Sequence, residues 1–381
     1  MKAFRILAAA ALLTAAFQGI NAQEIQNFQN RQPLVSPELT AETITFRLRA
    51  NYATEVSVQA SWMGYGPEAQ KAGRMTKGEG GVWSVTLPRP ASELYTYTFT
   101  VDGVSVLDPA NLFVQRDGTS FMSAVLVDGG YADNYKECSR PGNIEHVWYY
   151  SGTNDMVRRM YVYSPFGYDR NDKKTKYPVL YLLHGAGGDE EAWSSMGRAA
   201  QILDNLIEQG KAQPMIVVMP NGNPNQQAAQ TLGLKTSDVN FRDPAYANAY
   251  VRSLCEEIVP FIEKEFRVNA KPESRAIAGL SMGGGHTISA STLYPAMFDY
   301  ICPLSAAGSA NDEQIQALKK AGVKLYFLAC GTSDFLYEGS KTLDATLTKN
   351  GLDHIFYQSE GGHTWANWRL YLQTFAPMLF K

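Results

Sequence analysis

Gly279-Leu280-Ser281-Met282-Gly283 is a GxSxG pentapeptide that follows the apolar run Arg275-Ala276-Ile277-Ala278 and leads into small residues from Gly284 to Leu293. Strand, sharp turn and helix, in that order, lift a serine hydroxyl clear of a sheet edge above a helix N-terminus. The flanking glycines let the backbone strain without a Cβ clash. A hydroxyl so placed becomes a nucleophile when a base takes its proton. Ser281 therefore calls for a carboxylate and then a histidine later in the chain.

Elimination finds the histidine. The chain has five, and His286, His354 and His363 follow Ser281. His286 lies on the nucleophile's own helix, too close along the backbone to reach back as an independent base, and is expected to pack. His354 opens the apolar strand His354-Ile355-Phe356-Tyr357. His363 sits beyond that strand in Glu360-Gly361-Gly362-His363-Thr364-Trp365, a loop position where catalytic side chains collect. His363 is thus expected to be the general base. The acid belongs on the loop after the preceding strand, Val323 to Ala329, and Asp334 in Cys330-Gly331-Thr332-Ser333-Asp334 is the first carboxylate there. Glu338 and Asp344 are weaker candidates.

These residues imply acyl transfer: His363 takes the Ser281 proton during attack on an acyl carbonyl, and Asp334 holds the imidazole in the useful tautomer. An acyl-serine forms, and water releases the acyl group. The tetrahedral oxyanion needs backbone N–H donors, one expected from Met282, which follows the nucleophile. The second is expected from Ala186, which follows Tyr181-Leu182-Leu183-His184-Gly185 in the turn Gly185-Ala186-Gly187-Gly188. His184 is read as structural.

The segments YPVLYLLHGAGG, GLSMGG, CGTSDFLY and EGGHTWANW together resemble the feruloyl esterase and esterase D group of the α/β-hydrolases, over roughly residues 145 to 381. The resemblance implies carboxylic ester hydrolysis without a cofactor. It places the family's nucleophile on Ser281, its acid on Asp334, its base on His363 and its oxyanion amides on Ala186 and Met282.

At the N-terminus, Met1-Lys2-Ala3-Phe4-Arg5 precedes an apolar run from Ile6 to Phe17, with Ala22 as a small residue before a cut. The run is too short to span a bilayer, and residues 1–22 read as a cleavable secretory signal giving a periplasmic or secreted product. The remainder is long enough for two domains. A hydrophobic share of 45% allows sizeable cores, and a net charge of −3 gives no electrostatic reason to expect nucleic acid or an anionic membrane as partner. Four cysteines, Cys138, Cys255, Cys302 and Cys330, suggest no disulfide framework, and no spacing points to a metal.

Before about Gly130 the apolar residues alternate with period two in Thr43 to Leu48, Glu55 to Ala60, Val82 to Leu87 and Tyr95 to Val101, with a turn at Asp102-Gly103. This predicts a β-sandwich. The run from Trp83 through Tyr95, Tyr97, Asp102-Gly103 and Leu107-Asp108-Pro109 to Asn111 resembles the early-set immunoglobulin-like domain. Trp62, Trp83 and the tyrosines either fill its core or stack on sugar rings, and core packing with a spacer role is preferred.

The expected organisation is a signal at 1–22, an immunoglobulin-like β-sandwich at 23–130, a linker at 131–144 and an α/β-hydrolase domain at 145–381. In that last domain, strands His146–Tyr150, Arg158–Tyr163, Val179–Leu183, Met215–Met219, Arg275–Leu280, Tyr300–Leu304, Val323–Ala329 and His354–Gln358 alternate with helices. One helical run carries Tyr250, Leu254, Ile258, Phe261 and Ile262, bent near Pro260, and another closes the chain from Trp365 to Phe375. Alternation of this kind predicts a mostly parallel sheet covered on both faces.

The long polar loop Asn221 to Phe241, followed by Arg242, reads as functional. Trp193, Phe241, Arg242, Phe335 and Trp365 are candidate substrate contacts, and an aromatic cleft would suit a hydroxycinnamate. The leading expectation is an exported serine esterase that removes feruloyl or acetyl groups from plant-polysaccharide side chains. A siderophore-lactone esterase, an acyltransferase and a non-catalytic glycan-binding protein are the alternatives.

Overall fold

A computed structural model describes residues 34–172, 174–229 and 244–381, the side chains of 244–247 excepted. The expected signal and the candidates Phe241 and Arg242 lie outside the described residues. The chain divides into two compact units, Met1–Pro90 with Tyr97–Leu112 and Ala91–Thr96 with Phe113–Lys381.

The described part of the first unit is built from antiparallel strands. Its strands are β1 (Glu38–Leu39), β2 (Thr43–Arg49), β3 (Val56–Ala60), β4 (Thr76–Lys77), β5 (Val82–Pro88), the Tyr97–Val101 part of β6 (Glu93–Val101) and β7 (Val104–Val106). One sheet runs β1-β2-β5-β4, while β6 pairs with β3 and β7. Period-two alternation has its expected consequence: Ile44, Phe46 and Leu48 of β2 are buried and their neighbours are not. The Asp102-Gly103 turn has φ of 46° and 85°, which matches the twist of a tight hairpin. Trp62 and Trp83 serve packing, while Tyr52 and Tyr65 are exposed. Trp83 is buried and donates its indole N–H to the Ala50 carbonyl at 3.0 Å, and Trp62 stacks on Phe46 at 6.1 Å.

The second unit opens with the hairpin β8 (Val114–Asp117) and β9 (Ser120–Val127). An eight-stranded sheet follows, formed by β10 (Asn143–Ser151), β11 (Met156–Ser164), β12 (Val179–Leu183), β13 (Ile216–Pro220), β14 (Arg275–Leu280), β15 (Tyr300–Leu304), β16 (Leu325–Gly331) and β17 (Ile355–Ser359). Its order is β10-β11-β13-β12-β14-β15-β16-β17. Pairing is antiparallel from β10 to β13 and parallel from β13 to β17.

The helices used below are α1 (Ala192–Ser195), α2 (Ala199–Glu208), α3 (Pro244–Arg252), α4 (Val259–Glu265), α5 (Met282–Leu293), α6 (Tyr337–Lys349) and α7 (Trp365–Phe375). Both faces of the sheet are covered, so its central strands are unbroken apolar runs. Leu180, Leu182, Ala276, Ala278, Phe327 and Ala329 pack on one side with Leu203 of α2 and Leu372 of α7. The alternate residues Tyr181, Leu183, Ile277, Ile301 and Leu328 pack on the other with Ile262 of α4, Ile288 of α5 and Leu347 of α6.

Two details depart from the sequence reading. The helical run around Tyr250 is not uniform, because α3 and α4 are joined by a wide π-helical stretch, Ser253–Ile258. That stretch ends two residues before Pro260, whose ring has no room under a carbonyl four residues back in regular α geometry. The boundary between units also differs from the expected one near Gly130: β8, β9 and the segment after them count with the second unit. Arg116 on β8 forms ion pairs with Asp189 at 2.8 Å and Glu191 at 2.6 Å, and Gln115 donates to the Ser195 carbonyl at 2.7 Å. The segment expected to be a linker forms a 3-10 turn at Gly130–Tyr135, with Ala132 and Tyr135 buried. Arg198 donates to the Tyr135 carbonyl at 2.7 Å.

Candidate active site

Ser281 lies between the end of β14 and the first residue of α5, with φ 54° and ψ −115°. Such a backbone is strained for a residue with a side chain and persists only where neighbours over-determine it. Here they do. Ser281 N–H donates to the Leu304 carbonyl on β15 at 2.9 Å, while the Ser281 carbonyl accepts from Gly285 at 3.0 Å and Ala307 at 3.1 Å. A Cβ on Gly279 would lie 2.4 Å from the Gly283 carbonyl oxygen, and one on Gly283 would lie 2.5 Å from the His184 carbonyl oxygen. The two glycines of GxSxG are therefore close-approach positions as much as turn positions.

Asp334 and His363 come from adjacent strand ends. Asp334 sits in the turn between β16 and α6, its carboxyl fully buried, and its Oδ1 accepts from Leu336 N–H at 2.9 Å. His363 follows β17. The two turns are stitched together by Ser333 N–H donating to the Gly361 carbonyl at 2.9 Å. The His363 Nδ1 lies 2.9 Å from Asp334 Oδ2 and 3.1 Å from Oδ1. With the carboxylate as acceptor, Nδ1 carries the proton and Nε2 keeps its lone pair. Edge-on packing against Trp368 at 4.9 Å fixes the ring from one side and Phe335 at 4.5 Å from another.

The weaker acid candidates are engaged elsewhere: Asp344 pairs with His354 at 2.8 Å and Glu338 with Lys341 at 3.1 Å. His184 accepts from Gly222 N–H at 2.7 Å and faces the Gly185 carbonyl with Nδ1 at 2.7 Å, which ties the turns after β12 and β13 together. His286 is buried under Tyr250 at 4.6 Å, and burial pushes its imidazole down to about 3.

Ser281 and His363 line one cavity of about 280 Å³, together with Ala186 and Trp365. The contributors after β9 lie at or just beyond the carboxyl end of a strand or in the first turn of the helix beyond it, the place where open α/β sheets gather binding groups. Met282 is the first residue of α5, so its N–H has no acceptor within the helix. Small residues flank Ala186 in the cavity wall, which keeps its backbone accessible.

The aromatic candidates separate. Trp365 lines the cavity. Phe335 is 75% exposed and leans on His363. Trp193 does not reach the cavity wall: it is buried in α1, donates its indole N–H to the Leu183 carbonyl at 2.9 Å and supports Trp365 edge-on at 5.4 Å. Its expected place in an aromatic cleft is corrected to a place behind one, since an indole N–H close to an unpaired carbonyl at a strand end turns inward.

Asp117, at the end of β8, was not expected in the cavity wall. A carboxylate followed by Gly118 between two strands looks like an ordinary turn residue, and nothing local in the sequence marks it otherwise. Burial raises its carboxyl above the usual aspartate range, while a hydrogen bond from the Trp365 side chain lowers it. Among the described residues, no group of three His, Cys, Asp or Glu is placed to hold a metal ion, and no helix is long and apolar enough to cross a membrane.

Residues 151–321 match the family model Esterase, described as "Putative esterase", a span that holds Ser281 but stops before Asp334 and His363. The endo-1,4-beta-xylanase/feruloyl esterase of Xylanibacter ruminicola is 33% identical over 92% of this chain, and the match covers 46% of that protein. The acetyl esterase of Caldicellulosiruptor saccharolyticus is 25% identical over 54% of this chain and 86% of its own length. The chain thus spans about half of the first relative's length. A solved ferulic acid esterase is 26% identical with a TM-score of 0.53, over 62% of this chain and 97% of that one. The enterobactin esterase of Shigella flexneri, solved in the presence of 2,3-Di-hydroxy-N-benzoyl-serine, shares the fold, with a TM-score of 0.62 over 93% of this chain and 97% of that one at 16% identity. The α/β sheet, the serine elbow and these likenesses agree: residues 151–321 match the esterase family, and the unit that holds them has the α/β-hydrolase fold of the esterases it resembles.

Proposed function

We propose that the protein hydrolyses carboxylic esters through an acyl-serine at Ser281. The observation that carries this reading is the His363–Asp334 pair at 2.9 Å, whose histidine shares a cavity with the strained Ser281. His363 Nε2 takes the proton from Ser281 Oγ as that oxygen attacks the acyl carbon, and Asp334 holds the ring and stabilises the imidazolium. Backbone N–H groups of Ala186 and Met282 receive the oxyanion. The imidazolium then protonates the departing alkoxide, and His363 next activates a water that cleaves the acyl-serine. The residues need no cofactor for these steps.

The acyl group is feruloyl or acetyl, and the ester sits on a plant-polysaccharide side chain. The similarity to a xylanase/feruloyl esterase and to an acetyl esterase supports this class. The first unit serves as an immunoglobulin-like spacer, with Trp62 and Trp83 packed against its own residues. Residues 1–22 direct export, so the enzyme works in the periplasm or outside the cell.

Hydrolysis of methyl ferulate, acetylated xylan and a catecholate trilactone by wild type and Ser281→Ala tests the reading. Release of ferulate or acetate that the substitution abolishes supports it. Activity confined to the trilactone moves the substrate to siderophore esters, and a folded protein inert on all three defeats the ester reading.

A further inference from the structure

The β8–β9 hairpin brings a carboxylate into the cavity from far upstream in the chain. Asp117 and His363 are the two ionisable residues in that cavity wall. The hairpin is firmly seated. Arg116 donates to the Gly118 carbonyl at 2.6 Å and pairs with both Asp189 and Glu191. A Cβ added to Gly118 would lie 2.8 Å from the Gly187 carbonyl oxygen, in the turn that carries Ala186. Asp117 is thus held by its neighbours on both sides while its own side chain stays open to the cavity.

Chemistry narrows what Asp117 can bind. An ionised carboxylate has room for about four donated hydrogen bonds, and Trp365 lines the same wall as Asp117. The guanidinium of Arg116 is committed to Asp189 and Glu191. Asp117 is exposed at the cavity mouth, so its carboxylate can exchange water for a donor on a bound molecule. An ester linkage offers only acceptors, so a partner must be a hydroxyl elsewhere on the substrate. Trp365 and Trp368 line the same wall and offer indole surface to an aromatic ring.

We propose that Asp117 is a specificity residue, accepting a hydrogen bond from a hydroxyl on the aromatic ring of the acyl group and favouring hydroxylated arylacyl esters over unsubstituted ones. The proposal rests on the ester-hydrolase reading above. A hydrogen bond to a charged group contributes about 1.5–3 kcal/mol, which sets the scale of the discrimination as a ratio of roughly 10 to 150.

The test measures kcat/KM on methyl ferulate, methyl cinnamate and a feruloyl arabinose for wild type, Asp117→Ala and Asp117→Asn, with thermal unfolding to confirm that each variant folds. The ferulate-to-cinnamate ratio is expected to fall about 10-fold or more in Asp117→Ala and less in Asp117→Asn, which keeps an acceptor. Equal losses on both esters would assign Asp117 to holding Trp365 alone and overturn the proposal. So would an unchanged ratio, or a loss that appears only with the arabinose ester, which would move the partner to the sugar. Wild type inert on every ester defeats the underlying reading as well. Wild type active on ferulate and cinnamate with Asp117→Ala unaltered defeats only this inference.

Discussion

His363 Nδ1 faces both oxygens of a fully buried Asp334 carboxylate, at 2.9 Å and 3.1 Å. That contact selects the tautomer in which Nε2 is free to accept a proton. Asp334→Asn keeps the shape but can turn an amide N–H toward the ring, favouring the wrong tautomer. A fall in kcat of roughly 10³- to 10⁴-fold with little change in KM is expected. Asp344→Asn, at the residue that pairs with His354, is expected to leave kcat within a factor of about two. Steady-state kinetics on both variants checks the pair, and a change under tenfold in Asp334→Asn would remove Asp334 from the orienting role.

The contact between His363 and Asp334 was legible in the sequence because each residue is tied to a local signal: a strand end, a turn after it, a fixed chain order. The sheet was legible for a related reason. Strands buried on both faces, such as β12 and β14, are short apolar runs between turns, and their bounds were expected as observed. Side-chain direction was not legible. Nothing in the residues around Trp193 says that its indole turns inward to the Leu183 carbonyl while Trp365, with similar local sequence character, faces the cavity. Asp117 was hidden for a topological reason. The alternating runs end at Val101, and nothing in the residues after it says which unit β8 and β9 join. That is decided by Arg116 meeting Asp189 and Glu191 far along the chain.

Trp193 and Phe335 should therefore behave oppositely on substitution. Trp193→Ala removes a buried indole and its hydrogen bond to Leu183, and is expected to cost about 3–5 kcal/mol of stability. Phe335→Ala removes an exposed ring and is expected to stay within about 0.5 kcal/mol of wild type while altering activity through the freed face of His363. Denaturant unfolding read beside ester hydrolysis separates the two. Equal stability losses would contradict the placement of Trp193 behind the cavity.

Arg116 tests whether the hairpin belongs with the catalytic sheet. Its side chain and that of Asp189 are 8% and 5% exposed, so Arg116→Met leaves a buried carboxylate without its cation. Breaking a buried pair from one side costs about 3–5 kcal/mol. The variant is expected to lose that much stability and, because the same hairpin carries Asp117, to lose selectivity between aryl esters. Unfolding and the ferulate-to-cinnamate ratio should move together. A large loss of stability with an unchanged ratio would separate the hairpin's structural role from any part in recognition.

Two buried histidines make stability depend on pH in a definite direction. Burial holds the imidazole of His286 at about 3 and lowers that of His184 as well, against about 6.5 in an unfolded chain. The unfolded state therefore binds protons that the folded state refuses once pH drops below about 6.5, and stability present above that pH is lost as acid is added. For His286 the loss continues down to about 3, at a limiting slope of about 1.4 kcal/mol per pH unit for one proton. Carboxylates add their own slope lower down, so the informative window is about pH 6.5 to 5. His286→Leu should reduce the slope there by up to one proton's worth, leaving His184 to supply the rest. Denaturant midpoints measured at half-unit steps would show it, and an identical slope in wild type and variant would mean that His286 titrates in the folded protein as it does in the unfolded one.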